Sequence, residues 1–386
     1  MRPLQIILIL ILFTCPSNGI ARGLEGTKGK KSKGKVKKDG GDAGDKGKGK
    51  KGAKNLKQSA KTGVPKKGGE PKKGGEPKKG TKKKPKKGTK KKSKKGTKKK
   101  GSSTTTPCEP CTGRNFTNTT IFTAVDDWCD DATTAMAVYG NITTWCVGDV
   151  TSMEGLFWYE REPQNDNRTD FNDDIGCWDV SSVTTMEDMF QDATAFNQDI
   201  GGWNVSSVTD MKDMFEDATA FNQDIGGWDV SSVTNMKDMF RSASAFNQDI
   251  GEWNVSSVEN MDGMFRYARA FNQDIGGWDV SSVDDMEDMF NTATAFNQDI
   301  GEWDVSSVDD MADMFEDTSA FNQDISGWDV GSVEDMDDMF YNATAFNQDI
   351  GEWDVSSVTE FDEMFGGSYP GTCEFNSTTN PNQIVC

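Results

Sequence analysis

The side chains in this sequence best suited to chemistry are its carboxylates, which recur in pairs one period apart, as at Asp284-Asp285 and Asp309-Asp310. Stacked in successive layers, such pairs would stand about 5 Å apart, the spacing of neighbouring strands. Like charges at that distance repel, and hard oxygen ligands at that density suit Ca²⁺. The pairs follow no loop motif of fixed ligand geometry, and recurrence every 25 residues is also the pattern of a solvated face. The chain has no histidine, so no His-based triad can be built, and no glycine-rich phosphate loop stands out. The expectation is a non-enzyme without an organic cofactor, with Ca²⁺ as the one ion to consider.

Cysteine is the next candidate chemistry. Cys108, Cys111, Cys129, Cys146 and Cys177 lie before or at the first repeats, and Cys373 and Cys386 lie after the last. The regular array between them has none, so bridges are expected at the ends, where a stack of repeats frays. Cys373 with Cys386 reads as a C-terminal loop. Cys146 and Cys177 flank the tryptophans of adjacent coils and read as neighbours able to pair. With Cys15 in an N-terminal apolar segment, seven cysteines remain and one is left over for an intermolecular bond. Cys108-Glu109-Pro110-Cys111 has the spacing of a zinc or redox pair, but it lacks a second pair and any histidine.

N-x-S/T sequons begin at Asn115, Asn118, Asn141, Asn167, Asn204, Asn254, Asn342 and Asn376. Those in the cap, the insertion and the C-terminal end are expected to carry glycan in a eukaryotic host. Asn204 and Asn254 replace an Asp at a tight repeat position and read as structural. The repeats carry five bases. Lys212 and Lys237 are one period apart, Arg241 and Arg266 likewise, and Arg269 follows. In register these would form a positive patch on three successive coils. One reading is local neutralisation by Asp210, Asp213 or Asp238, worth at most about 1 kcal/mol apiece. The other is a docking patch for an anionic partner or for the acidic half of a second copy, that is, self-association.

What must position all of these is a repeat. The stretch 196–220, FNQDIGGWNVSSVTDMKDMFEDATA, returns almost unchanged six times, and Trp178, Trp203, Trp228, Trp253, Trp278, Trp303, Trp328 and Trp353 stand 25 residues apart. A fixed period of that size means one structural unit per repeat, stacked on its neighbours. Segment 198–205 carries Ile200, Trp203 and Val205, which suits a short strand. Segment 207–218 places Val208, Met211, Met214, Phe215 and Ala218 at helical spacing, with Ser207 as N-cap. The expected fold is an α/β repeat solenoid of leucine-rich-repeat type, with one short strand and one short helix per 25-residue coil and about nine coils. Asn197, Asn222, Asn247 and their equivalents should stack in a column that bonds the next coil's backbone.

In chain order, residues 1–19 read as a signal peptide: Arg2, an apolar run too short to span a bilayer, and a small-residue cleavage site. Residues 20–106 form a Lys/Gly-rich tail with almost nothing apolar, expected to be disordered; from 21 to 100 it holds 34 Lys plus Arg against 6 acids, a net of +28. Residues 101–386 hold 8 basic and 56 acidic residues, a net of −48. The tail reads either as a solvated linker or as a polycation for an anionic polysaccharide, phosphate polymer, mineral or silica surface. Nucleic acid is argued against by the signal peptide. An N-terminal cap over 107–144 includes a helix-like run at 123–139 with Val125, Trp128 and Cys129 on one side. The repeats then run over 145–365, the first interrupted by an eight-residue insertion near 159–169, and 366–386 form a C-terminal cap.

The motif AFNQDIGGWDVSSVTNMKDMF at 220–240, with FTAVDDWC at 122–129 and YGNITTW at 139–145, resembles the BspA-like leucine-rich-repeat surface proteins. In particular it is similar to the branch first noted as a domain of unknown function in mycoplasma surface proteins and common in marine microalgae. The resemblance covers about 116–365 and implies a secreted or surface repeat solenoid, used for adhesion or recognition, with no site residues to carry over. The tail is loosely similar to lysine-rich peptides of mineralised algal walls. Together these lead to an expected secreted or cell-surface structural and adhesion protein, with an acidic calcium-binding scaffold as the alternative. Carbohydrate or protein recognition by the repeats also fits.

Overall fold

Each repeat is folded by turns that close on buried side chains. In the coil 196–220 the Trp203 N–H donates to the Ile200 carbonyl (3.1 Å), Val208 to Val205 (2.9 Å), Met214 to Met211 (3.2 Å) and Ala218 to Phe215 (3.1 Å). Residues three apart across such a turn point to the same side, and all eight of these side chains are buried. The remaining N–H groups leave the coil. Met211, Asp213, Phe215 and Asp217 donate to the carbonyls of Asn235, Lys237, Met239 and Arg241 in the next coil, at 2.8–3.1 Å. Single parallel bridges link Ser152, Thr185, Asp210, Asn235, Asn260, Asp285, Asp310, Asp335 and Glu360, one residue from each of nine coils. The chain is therefore a tandem-repeat protein whose coils stack in register.

The structure, a computed structural model, describes residues 111–158, 168–371, 373–375 and 384–385. The expected signal peptide and Lys-rich tail lie outside these residues, as do Cys108, Asn167, Asn376 and Cys386. No α-helix forms over 207–218 or its equivalents, and no strand forms over 198–205. The strand-and-helix plan expected from the sequence is thus replaced by turns. A helix needs each N–H on the carbonyl four residues back, whereas here alternate N–H groups serve the next coil. Asp213 and Asp217 also sit at φ of 54° and 53°, left-handed backbone that breaks a helix and that Asp tolerates better than most residues. A chain of three-residue turns buries nearly the same positions as a helix, which is why the apolar spacing misleads.

Three further columns hold the coils together. Asn222 N–H donates to the Asn197 side-chain oxygen (3.0 Å), and the Gln223 amide donates to both the backbone and side-chain oxygens of Asn197 (2.8 Å each). This pattern repeats to Asn347 and Gln348, so the asparagine column expected from the sequence has a glutamine partner that was not foreseen. Trp228 is 4% exposed, and its indole N–H donates to the Ile200 carbonyl one coil back (3.1 Å). Phe215 lies 4.0 Å from Phe221 and 5.6 Å from Phe240, ring centre to ring centre. The coils approach so closely at Gly226 that a Cβ there would meet the Asp249 carbonyl oxygen at 2.2 Å.

At the N-terminal end, β1 (Asn115–Thr117) pairs in parallel with β2 (Cys146–Asp149). Between them α1 (Ile121–Tyr139), kinked at Asp131, buries Ile121, Ala124, Val125, Trp128 and Ala135. This is the helix expected near 123–139. Trp145 stacks on Trp178 at 6.2 Å and so joins the cap to the first coils. The pairing of β1 with β2 brings Cys111 beside Cys146, and these two form a disulfide with Cα atoms 5.2 Å apart. The expected Cys146–Cys177 pair is therefore corrected. Cys177 is disulfide-bonded elsewhere, and Cys373 is also disulfide-bonded. At the other end β3 (Glu374–Phe375) pairs antiparallel with β4 (Ile384–Val385). No helix among the described residues is long and apolar enough to cross a membrane.

Candidate functional site

The buried positions scarcely change from coil to coil, so whatever distinguishes one coil from another must lie outside them. On the flank that carries the bridges, three columns do change. The exposed first column reads Thr184, Thr209, Thr234, then Glu259, Asp284, Asp309, Glu334. The bridging column, half-buried as far as Asp335, passes from Thr185, Asp210, Asn235 and Asn260 to Asp285, Asp310, Asp335 and the exposed Glu360. Two residues further on, the third column reads Glu187, Lys212, Lys237, Asp262, Glu287, Ala312, Asp337, Asp362. The flank therefore turns from mixed to predominantly acidic along an unchanging backbone, with Ala312 and Thr359 as the neutral exceptions. Near its acidic end Asp309, Asp310, Glu334, Asp335, Thr359 and Glu360 line an open cleft of about 300 Å³.

The bases on this side are engaged. Lys212 bonds Glu187 and Asp213, each at 3.0 Å. Lys237 pairs with Asp262, Arg241 with Glu216, and Arg266 with Asp288. Every one of these pairs except Lys212–Asp213 links adjacent coils. Burial opposes the charge on Lys212, but its bonds to Asp213 and Glu187 outweigh that and hold its pKa above the ordinary lysine value. Arg269 is exposed at the coil's outer edge. Four of the five expected patch residues thus meet carboxylates of their own or the adjacent coil.

The acids behave differently according to the side of the coil they occupy. Asp229 sits at a corner where Ser231 donates both its hydroxyl (2.6 Å) and its backbone N–H (3.2 Å), and these bonds hold the carboxyl below the ordinary range. Asp304 with Ser306 repeats the arrangement. On the flank the direction reverses. Burial, then the neighbouring Asp213 and Glu187, push Asp188 up to about 7. Burial and Asp213 likewise raise Glu216 to about 7 against the pull of Arg241. Burial with Asp262 and Asp213 raises Asp238 to about 6. Glu287 reaches about 7 by burial and the charges of Asp262 and Asp310. Residues 188, 213, 238, 288, 313 and 338 are all aspartates in left-handed backbone at one repeat position, with Gly263 between 238 and 288. No sequence motif marks this column, because only the fold makes residues 25 apart neighbours.

One group of three carboxylates, Asp262, Asp285 and Glu287, brings an oxygen from each within 4.8 Å of the others. Hard oxygens so placed can hold a cation, and here the Lys237 ammonium already reaches Asp262. Of the sequons, Asn115 and Asn141 are exposed. The Asn118 amide donates to Thr151 Oγ1 (2.8 Å) and accepts from the Thr151 N–H (2.7 Å). Asn342 is half-buried and accepts from the Ser368 N–H (2.8 Å). The Asn141 side-chain oxygen likewise accepts, from the Thr143 N–H (3.2 Å).

Comparison with known proteins gives one match. The family described as "Mycoplasma protein of unknown function, DUF285" matches residues 129–231, 202–296 and 268–378. No curated protein and no solved structure matches the chain.

Proposed function

The chain belongs to the DUF285 family of mycoplasma proteins of unknown function, and from that premise we propose that it is a structural and adhesion protein of the cell surface or wall, non-catalytic and secreted through its N-terminal segment. Its coils serve as the interaction scaffold, and its Lys-rich tail holds an anionic polysaccharide or mineral. The observation that carries this reading is the flank, where charge changes along a backbone and core that do not. A rigid frame with one variable face is what recognition by a repeat array requires. The tail supports the other half, since a net of +28 is far denser than a spacer needs. The test compares the full chain with a chain lacking 20–106 on immobilised sulfated polysaccharide and on silica. Salt-sensitive retention is expected from the full chain alone; equal retention of the two would sink the tail's role.

A second reading, an acidic scaffold that binds calcium, is favoured by the convergence of Asp262, Asp285 and Glu287. Millimolar Ca²⁺ should then raise the melting temperature beyond what NaCl of equal ionic strength achieves. Identical shifts with the two salts reduce the effect to screening.

A further inference from the structure

We infer that the turn 266–269 is a binding site for an anionic saccharide: Tyr267 offers a platform for a sugar ring, and Arg269, with Arg266 over the tyrosine, takes its sulfate or carboxylate. The inference rests on the reading of the coils as the interaction scaffold and names one place on it.

The coil 246–270 keeps the common core, with Met261, Met264, Phe265 and Ala268 buried as in its neighbours. Its surface departs from the repeat at Gly263, Arg266, Tyr267 and Arg269. Gly263 stands where the adjacent coils have Asp238 and Asp288, and a Cβ there would meet Asp238 Oδ1 at 2.2 Å. Arg241 has Asp238 of its own coil 3.9 Å from its Nε, whereas Gly263 leaves Arg266 without that counterion and its carboxylate partner is Asp288 of the next coil. Tyr267 sits at φ 58°, in a column of left-handed positions that the other coils fill with Asp192, Asp217, Ser242, Thr292, Asp317 and Asn342. A bulky ring is costly in that conformation, and cost of this kind is retained where a side chain is needed. The Arg266 guanidinium lies over the ring, 5.3 Å from its centre. Arg269 replaces the Ser or Thr found at this place in the other coils, is exposed, and pairs with no carboxylate among the described residues.

The neighbouring turns complete the patch. Ser242 N–H donates to the Arg266 carbonyl (2.7 Å) and Tyr267 N–H to the Asn291 carbonyl (2.8 Å), which sets the three turns side by side. Residues 241–244, 266–269 and 291–294 include no acid, whereas 216–219 and 316–319 each begin with a glutamate and an aspartate. An acid-free island bearing an unpaired arginine thus stands on a body of net charge −48. Three stacked turns span about 10 Å at strand spacing, the width of one or two sugar rings. A stable protein partner needs about 800 Å² on each side, and here it would meet the acids around the island. The rim carries the hydroxyls of Ser244 and Thr294, which suit a polyhydroxyl ligand, while the arginine fork suits a sulfate or carboxylate.

Arginine side-chain Nε–H spectra of the full chain, titrated with a sulfated tetrasaccharide and with a tetrasaccharide of uronic acids, test this. A neutral tetrasaccharide and an oligo-aspartate peptide serve as controls. Apart from Arg22 the tail's bases are lysines, so arginine signals report on the body even when the tail binds as well. The Arg266 and Arg269 signals should shift saturably with an anionic saccharide, and the arm that saturates first tells sulfate from carboxylate. Arg269→Ser, the residue type of Ser244, should weaken that affinity about tenfold. Tyr267→Asn suits left-handed backbone and should weaken it similarly without lowering the melting temperature. Arg114→Ser removes an equal charge from the cap and should leave affinity as in the wild type. Unmoved signals at both arginines overturn the inference, as does wild-type affinity in Arg269→Ser or an equal response to oligo-aspartate. Saccharide-induced shifts confined to backbone amides of other coils would also refute this site, while leaving the scaffold reading in place.

Discussion

Between 196 and 270 the flank carries Lys212, Lys237, Arg241 and Arg266, each bonded to a carboxylate. Between 271 and 365 it carries no base, and acids face acids. The backbone takes no notice of the change. Phe215 N–H meets the Met239 carbonyl at 3.0 Å in the first region, and Phe315 N–H meets Met339 at 3.0 Å in the second. Trp228 lies 6.5 Å from Trp253, and Trp303 lies 6.5 Å from Trp328. Core and inter-coil bonds therefore sustain the stack in either electrostatic setting, which leaves the flank columns free to differ. The bases of the first region are counterions built into the stack, while burial raises carboxyl pKa values in both regions, at Glu216 and Asp238 in the first and at Glu287 in the second.

The comparison breaks most decisively at the tryptophans. If the core is the same in both regions, Trp228→Ala and Trp303→Ala should each cost about 3–5 kcal/mol, read from thermal or denaturant melts. A near-neutral Trp303→Ala would mean that the acidic region relies on something other than its core. A smaller effect is expected at the asparagine column. Asn247→Ala leaves the Asn272 N–H without its side-chain acceptor and reduces the Gln273 amide to the Asn247 carbonyl, and Asn322→Ala does the same to Asn347 and Gln348. Each should cost about 1–3 kcal/mol in the same measurement, equally in the two regions. Unequal losses would show that the ladder is not the common element it looks to be.

The smallest effects separate the regions. Lys237→Met leaves Asp262 facing Asp285 and Glu287, and at low salt it should lower stability by about 1 kcal/mol. Ala312→Lys transplants the same counterion into the acidic region beside Glu287 and Asp310, and should raise stability by about as much. Both changes should fade in ~1 M NaCl, where the screening length is about 3 Å. An Ala312→Lys variant that is destabilised at low salt would show that packing, not charge, governs that column.

Much of this was legible in the chain. The 25-residue period fixes the number of coils and the asparagine column, because identical residues one period apart can only stack on one another. The helix of the cap was also readable, from Val125, Trp128 and Cys129 on one side. The turns were not, because Val208, Met211, Phe215 and Ala218 bury alike in a helix and in successive turns of three. What decided between them is where the N–H groups of Asp213 and Asp217 go, and that depends on the coil 24 residues ahead. Cys146 with Cys111 follows from the pairing of β1 with β2, which no spacing announces. The raised pKa values of Asp188 and Glu216 were equally hidden. Acidity is written in the composition, but a carboxyl's pKa rises only where stacking removes water from it and sets another acid beside it, and only the tertiary structure does that.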